Sequence, residues 1–150
     1  MVQTVLSSPH DELADSCRRT VESILLRIPS KYLKGLARVS LVNFNSAQNR
    51  SRKARPSSKG TLPMGAYFRS RSGAWIELYL NNFRTRYGEN ALTKEPARRI
   101  ALGMCLLHEL GHHVSTVMEP RHARREEIAS AWAQRLAPQA LGLDGTPEDA

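Results

Sequence analysis

The sequence predicts an α+β domain in which a small sheet precedes two C-terminal helices. Three observations predict it: an amphipathic helical pattern near the start, alternating apolar residues over 65–80, and two helical patterns after residue 93. At 150 residues and 16.8 kDa, the chain suits one domain, 1–150, with one modest core. We expect the order helix, about three strands, helix, helix.

The first helix is predicted over 9–27, with Ser8 as its cap and Pro9 at its first position. Its apolar residues recur at helical spacing, and Pro29 ends it. A strand follows over 38–44. The segment 45–60 is polar and basic, which is typical of a mobile loop.

Residues 65–80 predict a hairpin that turns near 71–73. In its second arm Ile76, Leu78 and Leu80 alternate with Trp75, Glu77 and Tyr79. This arm, 74–80, is either an exposed sheet edge to which a peptide could add, or an ordinary core strand. A linker then leads to a helix over 93–114 with Pro96 in its first turn. The last helix is predicted over 121–137, ended by Pro138, and the tail 141–150 is predicted to fray.

The positive charge is concentrated in one part of the chain. The formal net charge is +8, and no Asp or Glu occurs from residue 23 to residue 76, a span with eleven of the 22 basic residues. Such asymmetry indicates an anionic partner, most commonly nucleic acid, although a solvated basic surface is the alternative. The candidate DNA-binding residues, which would contact phosphates, lie in the predicted loop: Arg50, Arg52, Lys53, Arg55 and Lys59.

The sequence shows neither a bilayer-spanning apolar run nor a signal peptide, so we expect a cytoplasmic monomer with no membrane partner. Its two cysteines, Cys17 and Cys105, are far apart, which favours free thiols in a reducing compartment.

The stretch "CLLHELGHHV", residues 105–114, carries the chemistry. His108 and His112 are four residues apart, so on a helix they share a face and can hold one Zn²⁺. Such an ion lowers the pKa of a bound water toward about 7, and Glu109 can accept that water's proton and pass it to a leaving amine. The alternative is a pair of core histidines, but a glutamate in an apolar helix then needs another reason, since a buried carboxylate is costly when unpaired. His113 is offset from this face, and we expect it at the surface or in a substrate cleft.

A catalytic zinc usually has three protein ligands and one open position. The candidates for the third are Glu119, His122, Glu126 and Glu127. Glu126 shares a small apolar helical face with Ala129 and Ala133, which would permit close approach of the two helices, so we choose it. His122 is the second choice, and it could instead stabilise an oxyanion.

The sequence "HELGHH" followed by "EEIASAWAQRLAP" resembles the ImmA/IrrE group of small zinc peptidases. The family pattern is HELGH, then E-x-x-A-x-x-[aromatic]-A-x-x-L and a proline. It is matched in order over about 74–138 by Glu126, Ala129, Trp132, Ala133, Leu136 and Pro138. The interval between His112 and Glu126 is shorter than is usual for the family. The resemblance implies a minimal zincin-like fold with His108, His112 and Glu126 as zinc ligands and Glu109 as catalytic base.

The same resemblance implies a biological role. Members of the group typically cleave a transcriptional repressor, here expected to be a helix-turn-helix protein, in response to DNA damage or stress. A related small protease of bacterial anti-phage (CBASS) operons is similar in size and charge. It implies activation by single-stranded DNA, which the acid-free basic segment would suit.

Other functional candidates remain open at this level. Cys105 lies one turn before His108, so it is either a regulatory thiol near the metal or a buried core cysteine. Tyr79, Tyr67 and His122 are candidate oxyanion stabilisers. Two further functions compete with repressor cleavage: a basic nucleic-acid-binding module with a structural metal, and a zinc peptidase that acts on DNA-bound proteins.

Overall fold

The computed structural model describes residues 2–6, 11–42, 62–88, 90–118 and 125–142. Its elements confirm the α+β class. In chain order they are β1 (Gln3–Leu6), α1 (Glu12–Leu26), α2 (Ser30–Leu33), β2 (Leu36–Val42), β3 (Gly65–Ser70), β4 (Gly73–Tyr79), α3 (Leu80–Tyr87), α4 (Asn90–Thr93), α5 (Ala97–Met118) and α6 (Arg125–Ala140).

The sheet has the strand order β1-β2-β4-β3, with β1, β2 and β4 parallel and β3 antiparallel to β4. The predicted hairpin is therefore confirmed, and the predicted strand at 38–44 is confirmed as far as Val42. Four strands rather than about three form the sheet, because the short β1 pairs with β2 from Gln3 to Leu6. Strand β4 lies between β2 and β3. The proposal that 74–80 is an exposed edge is therefore wrong, and among the described strands the edge on that side is β3.

The core lies between one face of the sheet and the helices α1, α5 and α6. The alternation predicted for β4 places Ile76 and Leu78 on this face, where both are fully buried. The opposite face carries a separate small cluster of Ala66 and Tyr79. There Phe68 and Trp75 stack at 5.1 Å between ring centroids.

Several element boundaries differ from the sequence prediction. The cap of α1 is Asp11, whose carboxylate accepts a hydrogen bond from the Ala14 amide, while Ser8 and Pro9 lie outside the described residues. The predicted linker contains α3. The predicted helix 93–114 is instead α4 followed by α5, which begins after Pro96 and continues to Met118.

The last helix also runs further than predicted. Pro138 lies inside α6 and does not end it. The reason is burial, since Ala140 and Leu141 beyond the proline are 1% and 5% exposed and belong to the core.

The predicted loop 45–60 and all but two residues of the predicted tail lie outside the described residues. Among the described helices, none is long and apolar enough to cross a membrane.

Candidate metal centre

Helix α5 presents the two histidines of the motif at the border between buried and open surface. Its apolar stripe, including Leu102, Leu106 and Leu110, is fully buried against the sheet. His108 and His112 follow one another along a neighbouring stripe, and their rings meet edge to face at 5.0 Å between centroids. Their side chains are 30% and 16% exposed, so both are accessible to a ligand yet held by packing.

Glu126, in the first turn of α6, brings its carboxylate to both rings. Its Oε2 lies 3.0 Å from His108 Nε2, and its Oε1 lies 2.9 Å from His112 Nε2. One ligand atom from each of the three residues falls within 4.8 Å of the others, which fits a single metal ion. The structure thus brings together the three ligands predicted from the sequence. Two imidazoles and a carboxylate are a donor set that zinc accepts.

The predicted small-residue face of α6 explains how Glu126 reaches this position. Ala129 and Ala133 are buried against α5. The opposing residue is Gly111, inside the H-E-x-x-H motif, where a Cβ would lie 2.8 Å from the Ala129 Cα and closer still to its carbonyl oxygen. Any side chain at 111 would therefore push α6 away. Sequence reasoning missed this role of Gly111, although an alanine face opposite a motif glycine was visible as a signal.

His108, His112 and Glu126, here called the metal trio, have electrostatic surroundings that suit metal coordination. Burial lowers the pKa of His112, although the nearby Glu126 carboxylate opposes the shift. The neutral imidazole, which has the lone pair needed for coordination, is thereby favoured. Ser130, one turn after Glu126, places its hydroxyl 3.4 Å from His108 Nδ1 and so lies beside the ring nitrogen that faces away from Glu126.

The metal trio lies at one end of a groove of about 1010 Å³. Glu109, His108 and Glu126 line that end. The remaining lining comes from α3, α4, the first half of α5 and the start of β3. His108, Glu109 and Glu126 therefore border an open cleft, and His112 lies next to His108. No family model, curated protein or solved structure matches this chain.

His113 does not lie at the surface or in the cleft, and that expectation is wrong. It is 2% exposed, with Nε2 2.8 Å from the Lys34 carbonyl oxygen and Nδ1 2.9 Å from the Tyr67 hydroxyl. Because a carbonyl only accepts, Nε2 donates, and Nδ1 then accepts from Tyr67. Burial lowers the pKa of His113, which keeps the ring neutral. His113 thus connects α5 to β3 and to the turn before β2.

None of the other candidate residues that the structure describes belongs to the metal trio. Tyr79 donates a hydrogen bond to Glu77 Oε1 at 2.9 Å in the cluster on the opposite face of the sheet, away from the trio, which disfavours an oxyanion role. Tyr67, the other tyrosine considered, hydrogen-bonds to His113. Cys105 lines the groove, and burial raises the pKa of its thiol, which disfavours a reactive thiolate. His122 and the five basic residues predicted to bind DNA lie outside the described residues.

Proposed function

We propose that this protein is a zinc-dependent endopeptidase that cleaves a regulatory protein. The proposal is supported above all by the convergence of His108, His112 and Glu126 on one point beside Glu109. Among the described residues the group offers three ligands, the number typical of catalytic zinc sites, whereas structural sites are usually closed by four.

The chain's own residues have separate tasks in this reaction. Zinc, when bound by the trio, would polarise the scissile carbonyl and lower the pKa of a water at the site. Glu109 accepts a proton from the attacking water and then delivers it to the leaving amine nitrogen as the peptide bond breaks. His108, His112 and Glu126 would hold the ion, and the close contact of Gly111 with Ala129 keeps the Glu126 carboxylate beside the two histidines.

Strand β3 offers a way to align the substrate. The Tyr79 amide bonds to the Met64 carbonyl at 2.9 Å, which sets the alternation of the antiparallel pair. Backbone groups of Gly65, Tyr67 and Arg69 consequently point away from β4, at the free edge among the described strands. An extended peptide can add there as a further strand. Gly65 also lines the groove, so such a peptide would pass close to the metal trio.

The biological part of the proposal concerns the substrate and its trigger. We take the substrate to be a transcriptional repressor of the helix-turn-helix type, cut during a stress, DNA-damage or phage-defence response. The support is the ImmA/IrrE-like pattern of residues in the HELGH motif and from Glu126 to Pro138. Activation by single-stranded DNA is supported by the acid-free basic span alone.

The test has a metal step and a cleavage step. Purified protein is expected to contain about one zinc per chain by elemental analysis. Incubation with candidate repressors, with and without single-stranded DNA, is then followed by mass spectrometry of the products. Glu109→Gln should keep the zinc and lose cleavage, while Glu127→Gln, a matched change outside the trio, should keep both. A protein that neither contains nor binds zinc would overturn the proposal.

A further inference from the structure

The groove beside the metal trio is apolar over almost its entire length. Among the described residues that line it, the acidic and basic side chains are His108, Glu109 and Glu126, all at the metal end. Apart from Tyr87, which carries a hydroxyl, the rest of the lining is apolar or small and includes Met64, Phe83, Ile100 and Met104. The chemical character of the cleft therefore changes sharply with distance from the trio.

One stripe of α5 forms the floor of this cleft and leads to the ligand. Ile100, Met104 and His108 are spaced four residues apart, so their side chains follow one another on one side of the helix. Ile100 and Met104 are 45% and 43% exposed, so together they present adjacent apolar surface to the groove. From Ile100 to His108 the helix rises about 12 Å, a length that about three to four residues of an extended peptide span.

We propose that this groove, lined by Met64, Phe83, Ile100 and Met104, is the specificity site and receives bulky aliphatic side chains of the substrate. The inference rests on the proposed peptidase function and names the class of side chain that the enzyme selects. A peptide paired with the edge of β3 directs alternate side chains to one side. Those that enter the groove meet methionine, isoleucine and phenylalanine, so leucine-like side chains are favoured there and charged ones are excluded.

A metal-independent experiment tests the groove itself. The four methionines of the chain are labelled with ¹³C at their methyl groups, and N-acetyl-leucinamide is added to the metal-free protein. The methyl signals of Met64 and Met104 are expected to shift, whereas that of Met118, 59% exposed at the far end of the same helix, is expected to stay. N-acetyl-aspartamide should shift none of them. Shifts of Met118 alone, or equal shifts with both amides, would overturn the inference.

A second experiment connects the groove to the metal. The zinc-loaded protein is titrated calorimetrically with acetohydroxamate and with the hydroxamates of N-acetyl-leucine and N-acetyl-alanine. We expect the leucine compound to bind about tenfold more tightly than the alanine compound, because each buried methylene adds severalfold in affinity. Met104→Lys should abolish this preference, which is read as the ratio of the leucine and alanine affinities so that any effect on the hydroxamate group itself cancels, while Met118→Lys should preserve it.

The outcomes separate the two proposals. If zinc and acetohydroxamate bind but leucine has no advantage over alanine, the groove inference fails and the metal site stands. If no zinc binds but Met64 and Met104 still respond to N-acetyl-leucinamide, the groove stands and the peptidase proposal fails. Retention of the leucine preference in Met104→Lys would also contradict the assignment of the groove.

Discussion

The two sides of helix α5 are built in opposite ways. Towards α6, Gly111 leaves no room for a side chain, and the backbones almost touch at Ala129. Towards the groove, Ile100 and Met104 are large, apolar and almost half exposed. The metal trio lies where the two sides meet. The difference indicates that close backbone packing positions the three candidate ligands, while the open side leaves an apolar groove beside them.

The largest effect on zinc affinity is expected from removal of the Glu126 carboxylate, which α6 contributes to the metal trio. Glu126→Ala is expected to lower zinc affinity by more than about 100-fold, since even residues that only support a ligand change affinity by about 10- to 100-fold. Glu127→Ala, its neighbour on α6, should change it little. Titration against a competing chelator measures both. If His122→Ala lost zinc and Glu126→Ala kept it, the third ligand would be reassigned.

The close approach of α5 to α6 can be tested by substitution of Gly111. Gly111→Ala should destabilise the fold by about 2 kcal/mol through overpacking, although helix propensity alone favours alanine by about 1 kcal/mol. Gly103→Ala is the matched control, because a Cβ there meets the end of the flexible Leu141 side chain and not backbone. Chemical denaturation of both variants gives the comparison. Equal stability of the two would show that α5 and α6 are not held as closely as described.

The buried His113 should matter for stability and not for metal binding. His113→Leu leaves the Lys34 carbonyl and the Tyr67 hydroxyl without this partner and should cost about 2–3 kcal/mol. Tyr67→Phe removes one of the two bonds and should cost about 1 kcal/mol. Denaturation curves and zinc titrations of both variants provide the check. A loss of zinc in Tyr67→Phe at normal stability would contradict this division of roles.

The smallest effect is expected at Cys105, on the open side. The described metal group does not include this residue, and burial raises the pKa of its thiol. Cys105→Ala should therefore change zinc affinity by less than about twofold, and the wild-type thiol should react slowly with iodoacetamide at neutral pH. Rapid alkylation, or a large loss of zinc affinity in the variant, would restore the regulatory role considered from the sequence.

The sequence predicted the local parts of the site and missed its long-range parts. The i, i+4 histidines and the small face behind Glu126 depend on helical periodicity, which is visible in a single segment. In contrast, the partners of His113 lie 46 and 79 residues away in the chain, so its burial could not be inferred from neighbours. The same holds for β1, whose four residues form a strand by pairing with β2. It also holds for β4, whose internal position depends on that parallel pairing.

The contact between Gly111 and Ala129 also bears on how sequences of this kind would diverge. Because the two backbones approach this closely, substitutions at positions 111 and 129 are coupled. A larger residue at either position would require α6 to move, which would take Glu126 away from the histidines. We therefore expect homologous sequences to keep a small residue at both positions or to alter both together. Covariation of the two positions would then locate the α5–α6 contact in homologous sequences, even in those where the number of residues between His112 and Glu126 differs.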